Sequence, residues 1–561
     1  MSTYNIGTYL AHRLEQIGLE HYFAVPGDFN LVLLDQFLKS DRLELVGCCN
    51  ELNAGYAADG YARARGAAAV VFTYTVGGLS AINAVCGSYA EDLPVIAISG
   101  GPNTNDNPEG NVIHHTTGEL DFRQQPRCFE QVVAEVQIIK TVKDAPRQID
   151  SAIRTALRER KPVYIEVACN IAAAEVPPPG PLTMVERHTS DPASLAAAVD
   201  AAAEMIGNAV KPALVGGVKM RPYAAQGSFQ KLAEKLGCAV AVMPNAKGMF
   251  PETHPQFIGT YWGQVSSPGT NEIIESCDCY LFAGPIFNDY TTVGYTTMIS
   301  PGKLILAQRE SVTVPGATFH QVILPEFLEA LAEKVGANDA SLKAYQRIHE
   351  DALPFQSANG DTPLTRQTLM AHVQSLLSSD TALVVETGDS WFNGQKLSLP
   401  YGCLYEFQMQ YGSIGWSVGA TLGMAMGVDP KRRVVALIGD GSFQLTAQEL
   451  STMIRHGTNP IIFLLNNRGY TIEVEIHDGP YNNIQNWEYA RLVEVFNGED
   501  GRGWSAKVGT AAELEAAIAH AKQHDGVAFI ECLLDRDDCS KELLQWGSRV
   551  ANANGRPPKN G

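Results

Sequence analysis

Arg433-Val434-Val435-Ala436-Leu437-Ile438-Gly439-Asp440-Gly441-Ser442 is an apolar run that stops at a carboxylate between two glycines. Leu450, Met453 and Ile454 then mark one face of a helix, which Gly457 stops. Ile461-Ile462-Phe463-Leu464-Leu465 follows and ends at Asn466-Asn467-Arg468-Gly469. Strand, helix and strand in this order predict a parallel pair joined by a crossover helix. Ligands of open parallel sheets bind beyond the carboxyl ends of the strands. Asp440 and Asn467 stand at two such ends, one βαβ unit apart, and both offer hard oxygen. Magnesium takes about six oxygens, few of them from carboxylates and the rest often from phosphates. The pattern therefore points to a magnesium-diphosphate. The glycines admit phosphate to the backbone, and the helix start after Ser442 favours an anion. Gly-Asp-Gly alone would equally suit a loop aspartate capping a helix. The paired asparagines after the next strand favour the metal. Rival nucleotide motifs are missing: position 444 is Gln, so G-x-G-x-x-G is incomplete, and no G-x-x-x-x-G-K-[ST] occurs.

The alternation of apolar runs and helical patterns continues outward through three blocks. Val176-Pro177-Pro178-Pro179-Gly180-Pro181 is a stiff linker, and Phe355 to Pro363 is polar and turn-rich. Strands are expected over 21–25, 43–48, 70–74, 95–98 and 163–167 in the first block. The middle block gives 213–215, 239–243, 280–282 and 304–306, and the third gives 382–385, 434–438 and 461–465. The reading is α/β, with three doubly wound parallel-sheet domains at 1–180, 190–350 and 360–561. Duplication is suggested only by size and pattern.

The 561 residues carry 42 basic and 61 acidic side chains, a net charge of -19. Such a surface repels phosphate backbones and anionic lipid, which argues against nucleic-acid and membrane partners. Met1-Ser2-Thr3-Tyr4-Asn5 opens no secretory signal. Eleven irregularly spaced cysteines, without a C-x-x-C pair, fit reduced thiols in a cytoplasm. Ile414 to Val428 is nearly all apolar or small but short for a bilayer. Its glycines at 415, 419, 423 and 427 would line one smooth helical face for close packing.

The Gly-Asp-Gly … Asn-Asn arrangement resembles the thiamine diphosphate motif. From Tyr22-Phe23-Ala24-Val25-Pro26-Gly27-Asp28 to its end the chain resembles the thiamine diphosphate-dependent 2-oxo acid decarboxylases, the bacterial pyruvate decarboxylases above all. The resemblance implies pyrimidine-binding, middle and diphosphate-binding domains in that order. It implies Mg²⁺ on Asp440, Asn467 and the Gly469 carbonyl. It assigns to the cofactor Glu51, Asp389, Gly412, Ser413, Ile414, Gly441, Ser442, Asn467, Gly469, Tyr470, Thr471 and Ile472. Glu51 would meet N1′ of the aminopyrimidine, Gly412 would accept from the 4′-amino group, and Ile414 would hold the cofactor bent. A buried carboxyl sharing a proton suits that relay. Alone, Glu51 reads as a helix-start residue.

Asp28, His114, His115 and Glu473 match the family's proton-transfer set. Glu473 is preferred to Glu475 by the order Gly469-Tyr470-Thr471-Ile472-Glu473. No cysteine or carboxylate stands at a usual zinc spacing around the histidine pair. The implied reaction is non-oxidative loss of CO2 from pyruvate through a C2 carbanion and an enamine, releasing acetaldehyde. Trp391, Ile472, Ile476 and, more weakly, Tyr290 match positions that crowd the substrate pocket. Fungal relatives are substrate-activated through a middle-domain cysteine, and Gly217-Val218-Lys219-Met220-Arg221 has none, so hyperbolic kinetics are expected. The resemblance also implies a homotetramer, a dimer of dimers, with each cofactor between two chains. The rivals are a carboligase or oxidase sharing the cofactor, often with flavin in the middle domain, and a decayed paralogue kept as a binding protein. Against decay, Glu51, Asp440 and Asn467 are all present.

Overall fold

The structure is a computed structural model describing residues 4–183, 188–349, 354–358 and 360–558. Met1 to Thr3 of the amino-terminal reading and Asn359 of the second linker lie outside the described residues. The first domain holds a six-stranded parallel sheet: β1 (His21–Ala24), β2 (Glu44–Gly47), β3 (Ala68–Phe72), β4 (Val95–Gly101), β5 (Val136–Ile139) and β6 (Val163–Ala168). Their order is β2-β1-β3-β4-β6-β5. β3, β4 and β6 are buried at every position, as their mainly apolar sequences require, although β6 also buries Tyr164 and Glu166.

The middle domain contains β7 (Pro212–Gly216), β8 (Ala239–Val242), β9 (Phe257–Thr260), β10 (Cys279–Ala283), β11 (Leu304–Ala307), β12 (Ser311–Val314) and β13 (Ala317–His320). The order is β9-β8-β7-β10-β11-β12-β13, and the last two strands are antiparallel. The third domain contains β14 (Thr381–Val385), β15 (Leu404–Glu406), β16 (Arg433–Gly439), β17 (Ile461–Asn466), β18 (Trp504–Val508) and β19 (Ala528–Leu533). Its order is β15-β14-β16-β17-β19-β18, all parallel. Counted within each domain, the first and third sheets share one strand order, a likeness of topology that the residues alone do not display.

The glycine ladder packs against the first domain. Helix α1 (Glu51–Arg65) lies along α4 (Trp416–Gly427) at backbone contact, after α2 (Val76–Ala90) and α3 (Asp389–Lys396) in chain order. A Cβ on Gly423 would lie 1.8 Å from the Ala57 carbonyl oxygen, and one on Gly60 would lie 2.3 Å from that of Ala420. Larger residues at either place would force the two domains apart.

All three domains meet at buried ions. The Arg63 guanidinium is fully buried and donates to Asp59 at 2.8 Å, to Glu406 at 2.9 Å and to the Phe407 carbonyl. Arg221 of the middle domain donates to the same Glu406 oxygen at 2.7 Å. Lys219 pairs with Asp92, which Lys161 and Arg309 also reach. Buried pairs of this kind fix geometry more than they add stability.

Candidate active site

In the third domain a cavity of about 270 Å³ opens beyond the carboxyl ends of β14, β16 and β17. Strand order reverses between β14 and β16, so the cavity occupies the switch point where such sheets bind ligands. Asp389, Ile414, Asp440, Gly441, Ser442, Asn467, Gly469, Tyr470, Thr471, Ile472 and Glu473 all line it. Gly412 and Ser413 lie in the chain just before Ile414, outside the lining. The Tyr470 ring covers Gly441, where a Cβ would lie 2.3 Å from it.

Three oxygens converge at one end of this cavity. The Asn467 Oδ1 faces Asp440 Oδ1 at 3.2 Å and the Gly469 carbonyl at 3.0 Å, while its Nδ2 donates to Thr471 Oγ1 at 2.6 Å. Turning the amide over would let it donate to both acceptors. A divalent cation among the three oxygens satisfies the first orientation instead. Adjacent oxygens of an octahedral Mg²⁺ lie about 2.9 Å apart, given ligand distances of about 2.0–2.1 Å. Burial pushes the Asp440 carboxyl up to about 6, although the Gly441 and Arg468 amides donate to it. A cation would favour its charged form. These residues fit a magnesium-diphosphate.

Sequence reasoning missed several members of this site. Thr387, Gly388, Ser390, Leu445 and Leu465 also line the cavity. Glu386 is fully buried and accepts from Ser417 Oγ at 2.6 Å and from the Ser417, Gly415 and Thr387 amides. It anchors the loop that presents Gly412 to Ile414. The signal was available: Glu386-Thr387-Gly388 follows a strand end directly.

Asp28, His114 and His115 sit elsewhere, on loops beyond the first sheet's carboxyl ends, with Glu51 at the start of α1, and none lines the cavity. Asp28 Oδ2 lies 2.7 Å from His114 Nε2, and Oδ1 lies 3.8 Å from His115 Nε2. The fold thus gives the histidine pair a carboxylate that no zinc-like spacing in the sequence supplies. Sequence spacing hides Asp28 because the turn after β1 and the segment after β4 meet only in the fold. His115 holds a left-handed φ of 59°, and both rings pack on Phe29. Glu51 opens α1, with Asn50 as its cap.

The outer wall of the cavity is aromatic. Ile472 and Glu473 belong to α6 (Thr471–Ile476), which follows α5 (Asp440–Thr446) and packs on α7 (Lys541–Asn554). Trp391 is completely buried, edge-on to Tyr290 and Trp546. Tyr290 and Ile476 are half-buried in the same layer. Thus Ile472 alone of the four pocket residues faces the cavity, and Trp391, Tyr290 and Ile476 back it. The Glu475 carbonyl lies against Gly547, whereas Glu473 lines the cavity. Burial, with the nearby Glu473 charge, pushes the Tyr290 hydroxyl up. Asp389 accepts from Ser540 and Asn393, a tie that sequence does not foretell.

Comparison with known proteins agrees with this site. Residues 4–125 match the thiamine pyrophosphate enzyme N-terminal TPP binding domain, 199–323 the central domain, and 391–532 the C-terminal TPP binding domain. Pyruvate decarboxylase 1 of Oryza sativa subsp. indica is 54% identical over 560 residues, covering 99% of this chain and 92% of its own. Pyruvate decarboxylase 4 of Arabidopsis thaliana is 52% identical with the same coverage. Among solved structures, a Rhodococcus jostii RHA1 thiamine diphosphate-dependent 4-hydroxybenzoylformate decarboxylase shares the fold, with a TM-score of 0.78 at 22% identity over 95% of this chain and 100% of that one. The chain belongs to the thiamine pyrophosphate enzymes and, within them, to the pyruvate decarboxylase family.

Proposed function

We propose that this chain decarboxylates pyruvate to acetaldehyde and CO2, with thiamine diphosphate and Mg²⁺. The observation that carries the reading is the cluster of Asp440, Asn467 and Gly469 oxygens at the third domain's switch point, in a chain 54% identical to a pyruvate decarboxylase. When bound, thiamine diphosphate supplies a carbon nucleophile and a ring that takes up the electrons left by CO2. The residues do the rest. Asp440, Asn467 and the Gly469 carbonyl would hold the cation, with Gly441, Ser442, Asp389, Tyr470 and Thr471 around the diphosphate. Gly412, Ser413 and Ile414 would seat the remainder of the cofactor, and Glu51 would share a proton with its N1′. Glu473, on the cavity wall, would meet the substrate carboxylate. Asp28 and His115, with His114 in support, would deliver protons as product leaves. Glu51→Gln is expected to abolish turnover and leave the fold intact; full activity would refute the relay.

The two halves come from different chains in this reading. Leu31, Val32, Val76 and Leu79 are exposed around the first-domain half, and Leu445 beside the cavity. Apolar exposure flanking both halves suits burial against a second copy, and a homotetramer built as a dimer of dimers. Mixing Glu51→Gln chains with Asp440→Asn chains should then restore about one quarter of parent activity, by random pairing of two inactive subunits. No recovery would place each site within one chain.

A small substrate is favoured by Ile472 on the wall with Trp391, Tyr290 and Ile476 behind it. Discrimination per methylene is only about 1–3 kcal/mol, so longer aliphatic 2-oxo acids should react weakly. Faster turnover of phenylpyruvate than of pyruvate would overturn this. The bacterial type is proposed from the sequence resemblance, and a cytoplasmic home from eleven unpaired cysteines. The flavin-bearing rivals are disfavoured by His114, His115 and Glu473, which match the decarboxylases' proton-transfer set.

A further inference from the structure

The turn after β3 is strained, and it stands beside Glu51. The Tyr74 carbonyl accepts from the Val76 amide at 2.8 Å, closing a three-residue γ-turn around Thr75 at φ 52° and ψ -68°. This positive-φ turn is rare, and a β-branched residue is poorly suited to it. Such strain persists only where the surroundings over-determine it.

Gln125 provides that determination. It is fully buried, and its Oε1 accepts from the Thr75 amide. Its Nε2 donates to Tyr164 Oη at 2.6 Å and to Ser99 Oγ at 2.9 Å. Tyr164 in turn donates to the buried Glu166 at 2.7 Å. Gly78 makes the room: a Cβ there would lie 2.5 Å from the Gln125 Cδ. Its neighbour Gly77 faces the Glu51 carboxyl. A Cβ on Gly77 would lie 3.0 Å from Glu51 Oε1 and 3.2 Å from Thr73 Cγ2. The first turn of α2 is thus wedged between Gln125 and Glu51.

We infer that Gln125 is a positioning residue: by holding the γ-turn at Thr75 it sets the Gly77 backbone as the seat of the Glu51 carboxyl. The inference rests on the reading of Glu51 as the group that meets the aminopyrimidine. Two variants of the full-length protein test it. Gln125→Met keeps the side-chain length and removes its hydrogen bonds. Gly77→Ala keeps those bonds and sets a methyl against the mobile end of Glu51. Both should fold, with unchanged gel-filtration profiles and circular dichroism. Both should bind thiamine diphosphate at least about 3-fold more weakly by tryptophan fluorescence, and lower kcat per bound cofactor about 10-fold or more, with the pyruvate KM within about 2-fold; 10-fold corresponds to about 1.4 kcal/mol of barrier. Parent values of kcat and cofactor affinity, with only a lowered Tm, would overturn the inference and leave Gln125 a core residue. If Gln125→Met does not fold, Gly77→Ala decides alone, because the proposal requires the seat to be set by this turn. Glu51→Gln is assayed alongside. If it stays active, the underlying reading fails; if it is dead while both variants behave as parent, only the positioning inference fails.

Discussion

Ser540 donates both its hydroxyl, at 2.6 Å, and its amide, at 3.1 Å, to Asp389 Oδ1. Asp389 lines the cofactor cavity, and Ser540 caps α7, whose Trp546 abuts Tyr290. Helix α7 is therefore anchored to the cavity wall through its cap. Ser540→Ala loses the cap and one bond to a buried carboxylate, a cost of about 1–2 kcal/mol. Faster amide exchange across 541–554 is the expected result, together with a reduced kcat. Unchanged exchange would show that packing alone holds the helix.

The acceptor-on-acceptor contact between Asn467 and Gly469 makes a second prediction. Thiamine diphosphate with Mg²⁺ at about 100 times its Kd should stabilise the protein by about 2.7 kcal/mol, read as a raised Tm. A chelator should reverse the shift. Asn467→Leu should abolish it while leaving the Tm of the cofactor-free protein within a few degrees.

Glu166 gives a pH dependence. Burial pushes its carboxyl up to about 7, against which the Tyr164 hydroxyl bond works only partly. The folded protein therefore holds a proton that the unfolded chain, near 4.5, releases. Stability from this group is full below about 4.5 and is lost as pH rises through about 7. At about 1.4 kcal/mol per unit the loss is at most about 3 kcal/mol. Glu166→Gln, which keeps an acceptor for Tyr164, should gain on the parent between pH 5 and pH 8 in urea titrations. Parallel curves would contradict this.

Lys219 and Arg221 bear on kinetics. The segment that lacks a cysteine is already clamped, Lys219 on Asp92 and Ala90 and Arg221 on Glu406. With the three domains joined in this way, no substrate-driven closure of the middle domain is needed. Hyperbolic pyruvate saturation is the expected curve, and a sigmoidal one would refute the account.

Much of this was legible because the third domain writes its site locally. Asp440 and Asn467 follow apolar strands directly, so strand-end logic finds them. Two-sided burial made β3, β4, β16 and β17 visible as apolar runs. The strands that escaped reading are edge or mixed-character ones. β5 carries Gln137, β18 carries Lys507, and β19 buries Glu531, which accepts from Asn466 at 2.8 Å. Such polar positions break the apolar signal although the backbone still pairs. The first-domain half of the site was reached by resemblance, since Asp28 and the histidine pair meet only through β1 lying two places from β4. Gln125 and Ser540 gave no signal, because each acts through bonds to distant segments.

The most direct test of the account is to give the purified protein pyruvate, thiamine diphosphate and Mg²⁺ and to follow the products by NMR. Acetaldehyde and CO2 in equal amounts are predicted. Acetolactate as the main product, or no turnover, would contradict the assigned reaction.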